Sequence, residues 1–313
     1  MANSFPQGSG TWKVALLLAV LILLAATLLL AGERGHRPAN LGFWGILLFP
    51  RYWMAAIFAA MGLTLLIKRR VSRNLRLAFL PIIFFVFAVI YALPWGWFAG
   101  RMGQHPSPVC MLTKPFLYFQ AGRAVPLIFW VSLLVVAVLS LVGNKLFCGW
   151  VCPIGALQEL VNRIPLPRGL KVKAPFKLTN SIRIMAFALF LIVVFTAGFE
   201  IYEYFNPFEF LHWRFEPLAI GIIIGTMVVS LFIWRPFCYF LCPLGLLTWL
   251  FEQVSFFKVK VDRSVCKDCD KCIRESPCLA ISSIVAEKKI RPDCFACGLC
   301  FDSCNKGALH FKK

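Results

Sequence analysis

Residues 266–278 read CKDCDKCIRESPC, and residues 294–304 read CFACGLCFDSC. These two runs contain eight of the thirteen cysteines of the 313-residue chain. In each run three cysteines follow one another with two residues between them, and a fourth follows after five intervening residues in the first run and three in the second. One short loop with this spacing can bind three corners of an iron–sulfur cubane, and the more distant thiolate binds the remaining corner.

The two runs predict two [4Fe–4S] clusters with crossed ligands, because the fourth cysteine of such a run binds the cluster of the other run. This rule assigns the first cluster to Cys266, Cys269, Cys272 and Cys304, and the second to Cys294, Cys297, Cys300 and Cys278. A pair of zinc sites is the alternative, since zinc also binds Cys-x2-Cys pairs. Three cysteines at successive x2 spacing, found twice, favour the clusters.

Residues 256–313 form a separate polar segment around these runs, and we expect a small α+β domain of the two-cluster bacterial ferredoxin type. Phe256–Val261 and Ala308–Phe311 have the composition of paired terminal strands. A segment of this size has little apolar core, so the clusters should be part of its fold. The runs depart from the usual pattern in the longer spacing before Cys278 and in lacking a proline after the last cysteine.

The remainder of the chain, residues 1–255, is predicted to be an α-helical membrane domain. Apolar residues make up 60% of the chain and charged residues 15%, against about 45–50% and about 25% in soluble proteins. This composition excludes a disordered chain and argues against a soluble enzyme. We predict an interfacial helix at 41–49 and about six spans, at 14–32, 52–67, 78–98, 124–143, 184–199 and 217–234.

The basic residues predict how the membrane domain is oriented. The N-terminus and the loops 68–77 and 144–183 carry 13 Lys and Arg residues, whereas the opposite loops carry 7. The more basic side faces the cytoplasm, so we expect a multi-pass protein of the bacterial inner membrane with its cysteine-rich C-terminus in the cytoplasm. The net charge of +19 is spread over these loops, and we therefore expect lipid and not nucleic acid as the partner.

A repeat within the membrane domain contains four more cysteines. Residues 147–157 read FCGWVCPIGAL, and residues 237–247 read FCYFLCPLGLL. Both copies follow a predicted span, and cysteines four residues apart face one way on a helix. Buried cysteines are often plain small hydrophobes. A duplicated Cys-x3-Cys-Pro motif instead favours a redox or metal role for Cys148, Cys152, Cys238 and Cys242, as a third cluster, a copper or zinc site, or two reversible disulfides.

Twin Cys-x3-Cys-Pro motifs followed by a two-cluster ferredoxin domain resemble the NapH-type membrane ferredoxins. These are the quinol-dehydrogenase subunits of periplasmic nitrate reductase. The wider polyferredoxin group also includes nitrous-oxide-reductase regulators and cytochrome oxidase assembly proteins. The resemblance covers about residues 126–313, and residues 1–125 show no clear match. It implies that quinol is oxidised at the membrane and that electrons pass to a redox partner.

The sequence leaves three functions open: a quinol-oxidising electron-transfer protein, a maturation factor that delivers a metal such as copper to a respiratory enzyme, and a membrane redox sensor. No Asp or Glu lies within a predicted span, which argues against an ion pump with carboxylates in mid-membrane. His105 and His212 lie on predicted outer loops and are candidate bases for quinol, although a lone loop histidine is more often a plain surface residue.

Overall fold

The computed structural model describes residues 42–93, 96–103, 106–211 and 217–313. The predicted span at 14–32 and both candidate histidines, His105 and His212, lie outside these residues. In the described part of residues 1–255 the helices are α1 Phe43–Leu47, α2 Pro50–Ile67, α3 Arg73–Phe84, α4 Gly96–Gly103, α5 Cys110–Gln120, α6 Leu127–Val142, α7 Leu146–Trp150, α8 Pro153–Asn162, α9 Phe176–Ala197, α10 Ile201–Tyr204, α11 Phe208–Leu211, α12 Pro217–Phe232, α13 Pro236–Phe240 and α14 Pro243–Gln253.

Three of these helical segments are long and apolar enough to cross a membrane: Pro50–Ile67, Arg73–Ala92 and Phe176–Ala197. The second consists of α3 and its continuation through a π turn, Phe85–Val89, and a 3-10 turn, Ile90–Ala92. The apolar helices Leu127–Val142 and Ile220–Phe232 are shorter. Five of the six predicted spans therefore coincide with apolar helices, of which three have spanning length.

The helix bounds differ from the prediction where charged residues occur inside a helix. Helix α9 begins at Phe176 rather than at residue 184, because Arg183 lies within it as a fully buried side chain. Helix α3 begins at Arg73 rather than at residue 78, because the Ser72 side chain accepts a hydrogen bond from the Leu75 N–H and so caps the helix there. The predicted interfacial helix at 41–49 is the short helix α1, which ends ahead of Pro50.

The two repeat copies interlock. Helix α6, which leads into the first copy, packs against α14, which follows the second copy; α12, which leads into the second, packs against α8, which follows the first. Val172 and Ile233 also form an isolated parallel bridge near the end of α12. In each copy, therefore, the helix before the motif packs against the helix after the motif of the other copy.

Residues 256–313, which we call the module, contain β1 Lys258–Val261, α15 Lys271–Glu275, α16 Ala280–Val285, α17 Leu299–Ser303 and β2 Leu309–Lys312. Strands β1 and β2 pair antiparallel, with Val259 opposite Phe311. The chain enters the module directly from the helices, since the N–H groups of Phe256 and Phe257 donate to the carbonyls of Leu141 and Val142 at the end of α6. We call the helix ends next to the module the module side and the opposite ends, with α4, α5, α10 and α11, the far side.

Candidate metal centres

The eight cysteines of the module fall into two sets by burial. Cys278, Cys294, Cys297 and Cys300 are buried, with exposed fractions of 7–8%. Cys269 is exposed, and Cys266, Cys272 and Cys304 are partly exposed. These sets are the same two that the crossed-ligand rule assigns to the two clusters. The thiols that act most on the pKa of Cys300 are also those of its own set, Cys278, Cys297 and Cys294, after the effect of burial itself.

The backbone of both cysteine runs is shaped to present N–H groups to sulfur. Asp268, Asp270 and Ala296 adopt left-handed conformations, as does Gly298. The Ala296 N–H donates to the Cys294 thiol, and the Leu299 N–H donates to the Cys297 thiol. Successive N–H groups in such turns form an anion-binding concavity that is common at iron–sulfur sites. The donor set therefore fits the cluster type that the spacing predicts.

The four cysteines of the repeat lie together inside the membrane domain. Their exposed fractions are 6–8%, while residues between them, such as Trp150 and Ile154, are at 0–1%. Burial raises the pKa of the Cys152 thiol well above its usual value, and Cys238, Cys148 and Cys242 raise it further. The fold thus brings together thiols that are 90 residues apart in sequence.

Each of these four thiols has a hydrogen-bond partner, and the partners repeat with the same two-fold pattern. The second cysteine of each motif accepts from a glycine N–H of its own copy: Cys152 from Gly155, and Cys242 from Gly245 at 3.3 Å. The first cysteine of each motif contacts a side chain of the other copy. The Gln158 amide donates to the Cys238 sulfur at 3.5 Å, and the Thr248 hydroxyl contacts the Cys148 sulfur.

Buried cations surround the four thiols. Lys145, Arg183 and Arg235 are fully buried. The Arg235 guanidinium donates to the Cys148 carbonyl at 2.7 Å, and the Arg183 guanidinium donates to the Cys238 carbonyl at 3.1 Å. Lys145, which precedes the first motif, donates to the Gly245 carbonyl of the second at 2.6 Å. The contacts of Arg235 and Lys145 again connect the two copies, whereas Arg183 reaches the second copy from α9.

Two buried carboxylates balance part of this positive charge. Glu159 accepts from Arg76 at 3.0 Å and from Arg235 at 2.6 Å, and Asp293 pairs with Lys145 and Arg183. Burial alone would raise the pKa of Glu159, but the charges of Arg76 and Arg235 outweigh it and hold that pKa well below its usual range. Both carboxylates are therefore ionised. A net positive surrounding of this kind suits a group of cysteine thiolates, which is negative.

The second cysteine run of the module is inserted between the two copies. The Phe295 ring packs edge-on against Trp234 and Tyr239, and the Arg235 guanidinium lies 4.7 Å from its centre. The Trp150 indole N–H donates to the Ala296 carbonyl at 2.9 Å. At Gly149 an added Cβ would overlap the Phe295 backbone oxygen. The buried ligand loop of the module therefore touches the repeat directly.

The protonation of the repeat thiols follows from their burial. Burial raises the pKa of the Cys148 thiol and raises the pKa of the Cys238 thiol to about 11. The positive charges of Lys145 and Arg235 lower both pKa values, but by less. The metal-free thiols are thus neutral at physiological pH, and their protons leave when a metal binds. Among the described residues, no group of three or more His, Cys, Asp or Glu side chains converges as ligands of a single ion.

Sequence reasoning found the twelve cysteines but missed their partners. Gln158, Thr248 and Arg235 carry no motif that marks them, and only the 90-residue offset between positions 158 and 248 hinted at equivalent roles. Cys110, which belongs to none of these motifs, lines a large cavity on the far side. His310 lies on β2, where it pairs in register with Lys260.

A family profile described as a 4Fe-4S binding domain, Fer4_5, matches residues 110–173 and 215–264. These ranges contain both repeat copies and none of the eight module cysteines. An uncharacterized protein of Methanocaldococcus jannaschii is 31% identical over 187 residues, which cover 58% of this chain and 77% of that protein. The chain belongs to the ferredoxin-type, polyferredoxin-like membrane proteins that include NapH.

Named members of the ferredoxin-type family give the relation more detail. The ferredoxin-type protein NapH of Haemophilus influenzae is 27% identical over 192 residues, which cover 57% of this chain and 66% of NapH. The regulatory protein NosR of Pseudomonas aeruginosa is 29% identical over 282 residues, which cover 81% of this chain and 37% of NosR. Since residues 126–313 are only 188 of the 313, the NosR match extends further towards the N-terminus than the sequence analysis expected.

No solved structure matches the chain significantly. Family membership makes the protein an iron–sulfur protein of membrane electron transfer.

Proposed function

We propose that the protein oxidises quinol in the membrane and passes the electrons to a redox partner at the exposed face of the module. The observation that carries this proposal is the order of the three cysteine sets. The repeat thiols lie within the helices, the set with Cys297 is buried against them, and the set with Cys269 reaches the surface. Iron–sulfur groups held by such sets accept and release single electrons, which is how the two electrons of a quinol can leave one at a time.

The exposed set gives the partner its point of access. Cys269 is exposed on a loop that also carries Lys267, Lys271 and Arg274. Lys271 and Arg274 lie on the short helix α15, together with Glu275, and Asp268 and Asp270 flank Cys269 in the loop before it. A partner protein that docks on this surface, which carries charges of both signs, would come next to the outermost thiols.

The repeat thiols are proposed to hold a third iron–sulfur centre rather than copper or zinc. Three features support this choice: the N–H donors to Cys152 and Cys242, the buried cations, and a family profile for 4Fe-4S binding that covers both copies. The equivalent thiols of the two copies have equivalent hydrogen-bond partners, which is consistent with four ligands of one centre. Reversible disulfides would need only pairs of thiols and not this shared surrounding.

Metal analysis of anaerobically purified protein tests this assignment. The module alone accounts for about eight iron and about eight acid-labile sulfide. We expect the wild type to contain more than this, and a Cys148→Ser, Cys242→Ser variant to fall back to about eight of each. Stoichiometric copper or zinc in the wild type that disappears in the variant would overturn the third cluster, and zinc without sulfide would overturn all three.

Reduction by quinol tests the function itself. Anaerobic duroquinol should bleach the visible absorbance of the wild type. In the Cys148→Ser, Cys242→Ser variant that reaction should be lost, while dithionite still bleaches the module, because its own ligands are intact. A serine replacement of a plain small core residue would cost a modest amount of stability and leave the quinol reaction nearly normal. Normal quinol-driven bleaching in the double variant would therefore remove the repeat from the pathway.

We also propose that the protein is a multi-pass protein of the bacterial inner membrane with the module in the cytoplasm. The excess of basic residues on the module side supports this orientation. The reducing cytoplasm also suits thiolate ligands better than disulfides. The far side, with its loops between α4 and α5 and between α9 and α12, would then face the periplasm.

A further inference from the structure

A cavity of about 690 Å³ opens on the far side of the membrane domain, between α5 and the segment that contains α10 and α11. This volume lies within the range of about 300–1,000 Å³ that holds small organic ligands. Leu117, Ala121 and Phe129 give it an apolar wall, whereas Lys114, Glu203 and Glu209 give it charged groups. A ligand with an apolar ring and polar substituents matches such a lining.

The surroundings of the cavity are suited to a ligand that arrives from the lipid. Phe119, on the same helix as Leu117, is 72% exposed, and its ring lies 6.5 Å from that of Phe195. Phe199 and Tyr204 are also exposed and stack on each other at 5.3 Å. Exposed tyrosines at the ends of membrane helices, such as Tyr204, mark the membrane–water interface, and the exposed Phe rings beside it face lipid. The cavity therefore lies at the depth where the head of a lipid-soluble molecule meets water.

A network of ionised groups lies against the charged side of the cavity. Lys114 pairs with Glu200 at 2.7 Å and with Glu203 at 3.3 Å. Glu200 is buried and accepts a hydrogen bond from the Thr113 hydroxyl at 2.6 Å. Burial opposes the charge of Lys114, but Glu200 outweighs it and raises the pKa of Lys114 above its usual value. Lys114 stays protonated and pairs with both carboxylates.

The carboxylates that line the cavity can reach both the ligand and water. The Glu203 side chain is 53% exposed, so a proton that it receives can pass directly to solvent. Glu209 accepts a hydrogen bond from the Asn206 amide at 3.3 Å, and the same amide donates to the Ser107 hydroxyl at 3.4 Å. Ionised carboxylates within a cavity are the groups that accept protons from a bound hydroxyl.

The cavity is also close to the repeat thiols on both of its sides. Pro106 lines it and also lines a small void of about 30 Å³, whose other walls include Phe147, Val151 and Pro153 of the first motif. On the other side Tyr202 adjoins Glu203 in sequence, and its hydroxyl lies close enough to the Cys242 thiol for the two groups to interact.

Tyr202 is 4% exposed, and its hydroxyl has no hydrogen-bond partner among the described residues. Its ring packs against Phe190 at 5.3 Å. Tyr202, next to Glu203 in sequence, and the void that shares Pro106 with the cavity thus link the cavity lining to the two motifs.

We infer that this far-side cavity binds the aromatic head of a quinol, with Glu203 and Glu209 as the acceptors of its two protons. The inference rests on the proposed quinol oxidation and assigns it a site. Both O–H bonds of the quinol break and two C=O bonds form. The two protons go to the carboxylates and on to water at the far side, and the two electrons go one at a time to the iron–sulfur centres and from there to the redox partner.

Photolabelling tests the site without requiring turnover. The full-length protein in lipid nanodiscs is illuminated with an azidoquinone and digested, and the labelled peptides are identified by mass spectrometry. The label should lie within 106–129 or 198–211, and excess duroquinone should suppress it. Label confined to the module-side ends of the helices, or label that duroquinone does not suppress, would overturn the site.

Two sets of variants test the lining residues by duroquinol-driven bleaching. Leu117→Trp fills the cavity and should raise the KM for duroquinol by about tenfold or more, which is a loss of about 1.4 kcal/mol of binding. Its control is Leu134→Trp, because Leu134 on α6 is exposed and away from the cavity. The Glu203→Gln, Glu209→Gln variant should lower the rate by about 100-fold with a smaller change in KM. Its control is Glu287→Gln on the module.

The outcomes separate this inference from the proposed function. A wild type that dithionite reduces and duroquinol does not would overturn quinol oxidation and the site together. A wild type that duroquinol reduces, with Leu117→Trp and the double glutamine variant as fast as their controls, would leave the function standing and overturn the cavity as its site. If Leu117→Trp fails to fold, photolabelling of the wild type still decides the matter.

Discussion

At the scale of single residues, the contact between Gly149 and Phe295 joins the repeat to the module. An added Cβ at Gly149 would overlap the Phe295 carbonyl oxygen, which is backbone and cannot turn aside. We expect Gly149→Ala to destabilise the full-length protein by about 1–3 kcal/mol, as over-packing does, and to expose the 293–297 loop to protease. Thermal unfolding in detergent and limited proteolysis measure both effects. Gly100→Ala is the control, since no described atom lies within 4 Å of a Cβ there; equal behaviour of the two variants would contradict the tight contact.

Cysteines could be predicted from the sequence at this scale because their spacing follows directly from the ligand geometry. Their partners could not, because the contacts cross long stretches of chain. Gln158 reaches a sulfur 80 residues away, and Arg235 reaches a carbonyl 87 residues away. Lys145 and Arg183 look like ordinary basic residues of a loop and a helix start, yet both are fully buried in ion pairs. A buried charge has no local sequence pattern, since its partner lies in another element.

At the scale of elements, the module depends on its ligand loops. The module has only two four-residue strands and three short helices, so we expect the proposed clusters to supply part of its folding free energy. Removal of iron by an oxidant and a chelator should make residues 256–313 sensitive to trypsin while α6 and α9 stay protected in the membrane. Western blotting of the two ends of the chain measures this. A module that resists trypsin after complete iron loss would mean that its fold does not need the clusters.

The positions of the helices could be predicted from the sequence more accurately than the residues at which they begin and end. The apolar runs located α2, α6 and α12, because continuous hydrophobicity marks a helix in a membrane. The packing of α6 against α14 and of α12 against α8 could not be predicted from the sequence. Packing within a copy and packing between copies would bury the same apolar residues. Only the polar contacts that cross between the copies distinguish them.

For the whole molecule, the distribution of charge sets the expected topology. Three of the 13 basic residues on the module side, Arg76, Lys145 and Arg183, are fully buried in ion pairs. The remaining ten still exceed the seven on the far side. We therefore expect a reporter fused after Lys313 to behave as cytoplasmic and one inserted near Glu209 to behave as periplasmic. A periplasmic signal from the Lys313 fusion would mean that the chain crosses the membrane an odd number of times.

The insertion of Asp293–Cys297 between the two copies has a consequence for how the protein is made. Cys294, Cys297 and Cys300 are buried together with Phe295, and Asp293 is fully enclosed by Lys145 and Arg183. The cellular proteins that donate iron and sulfide cannot reach these thiols once the loop is in place. If these cysteines hold the proposed second cluster, its loading must come before the last step of assembly, in which the module packs against helices that are already in the bilayer. Assembly then has a fixed order. In cells that lack iron, we expect the helices to be inserted in the membrane while the C-terminal module stays undocked and is degraded.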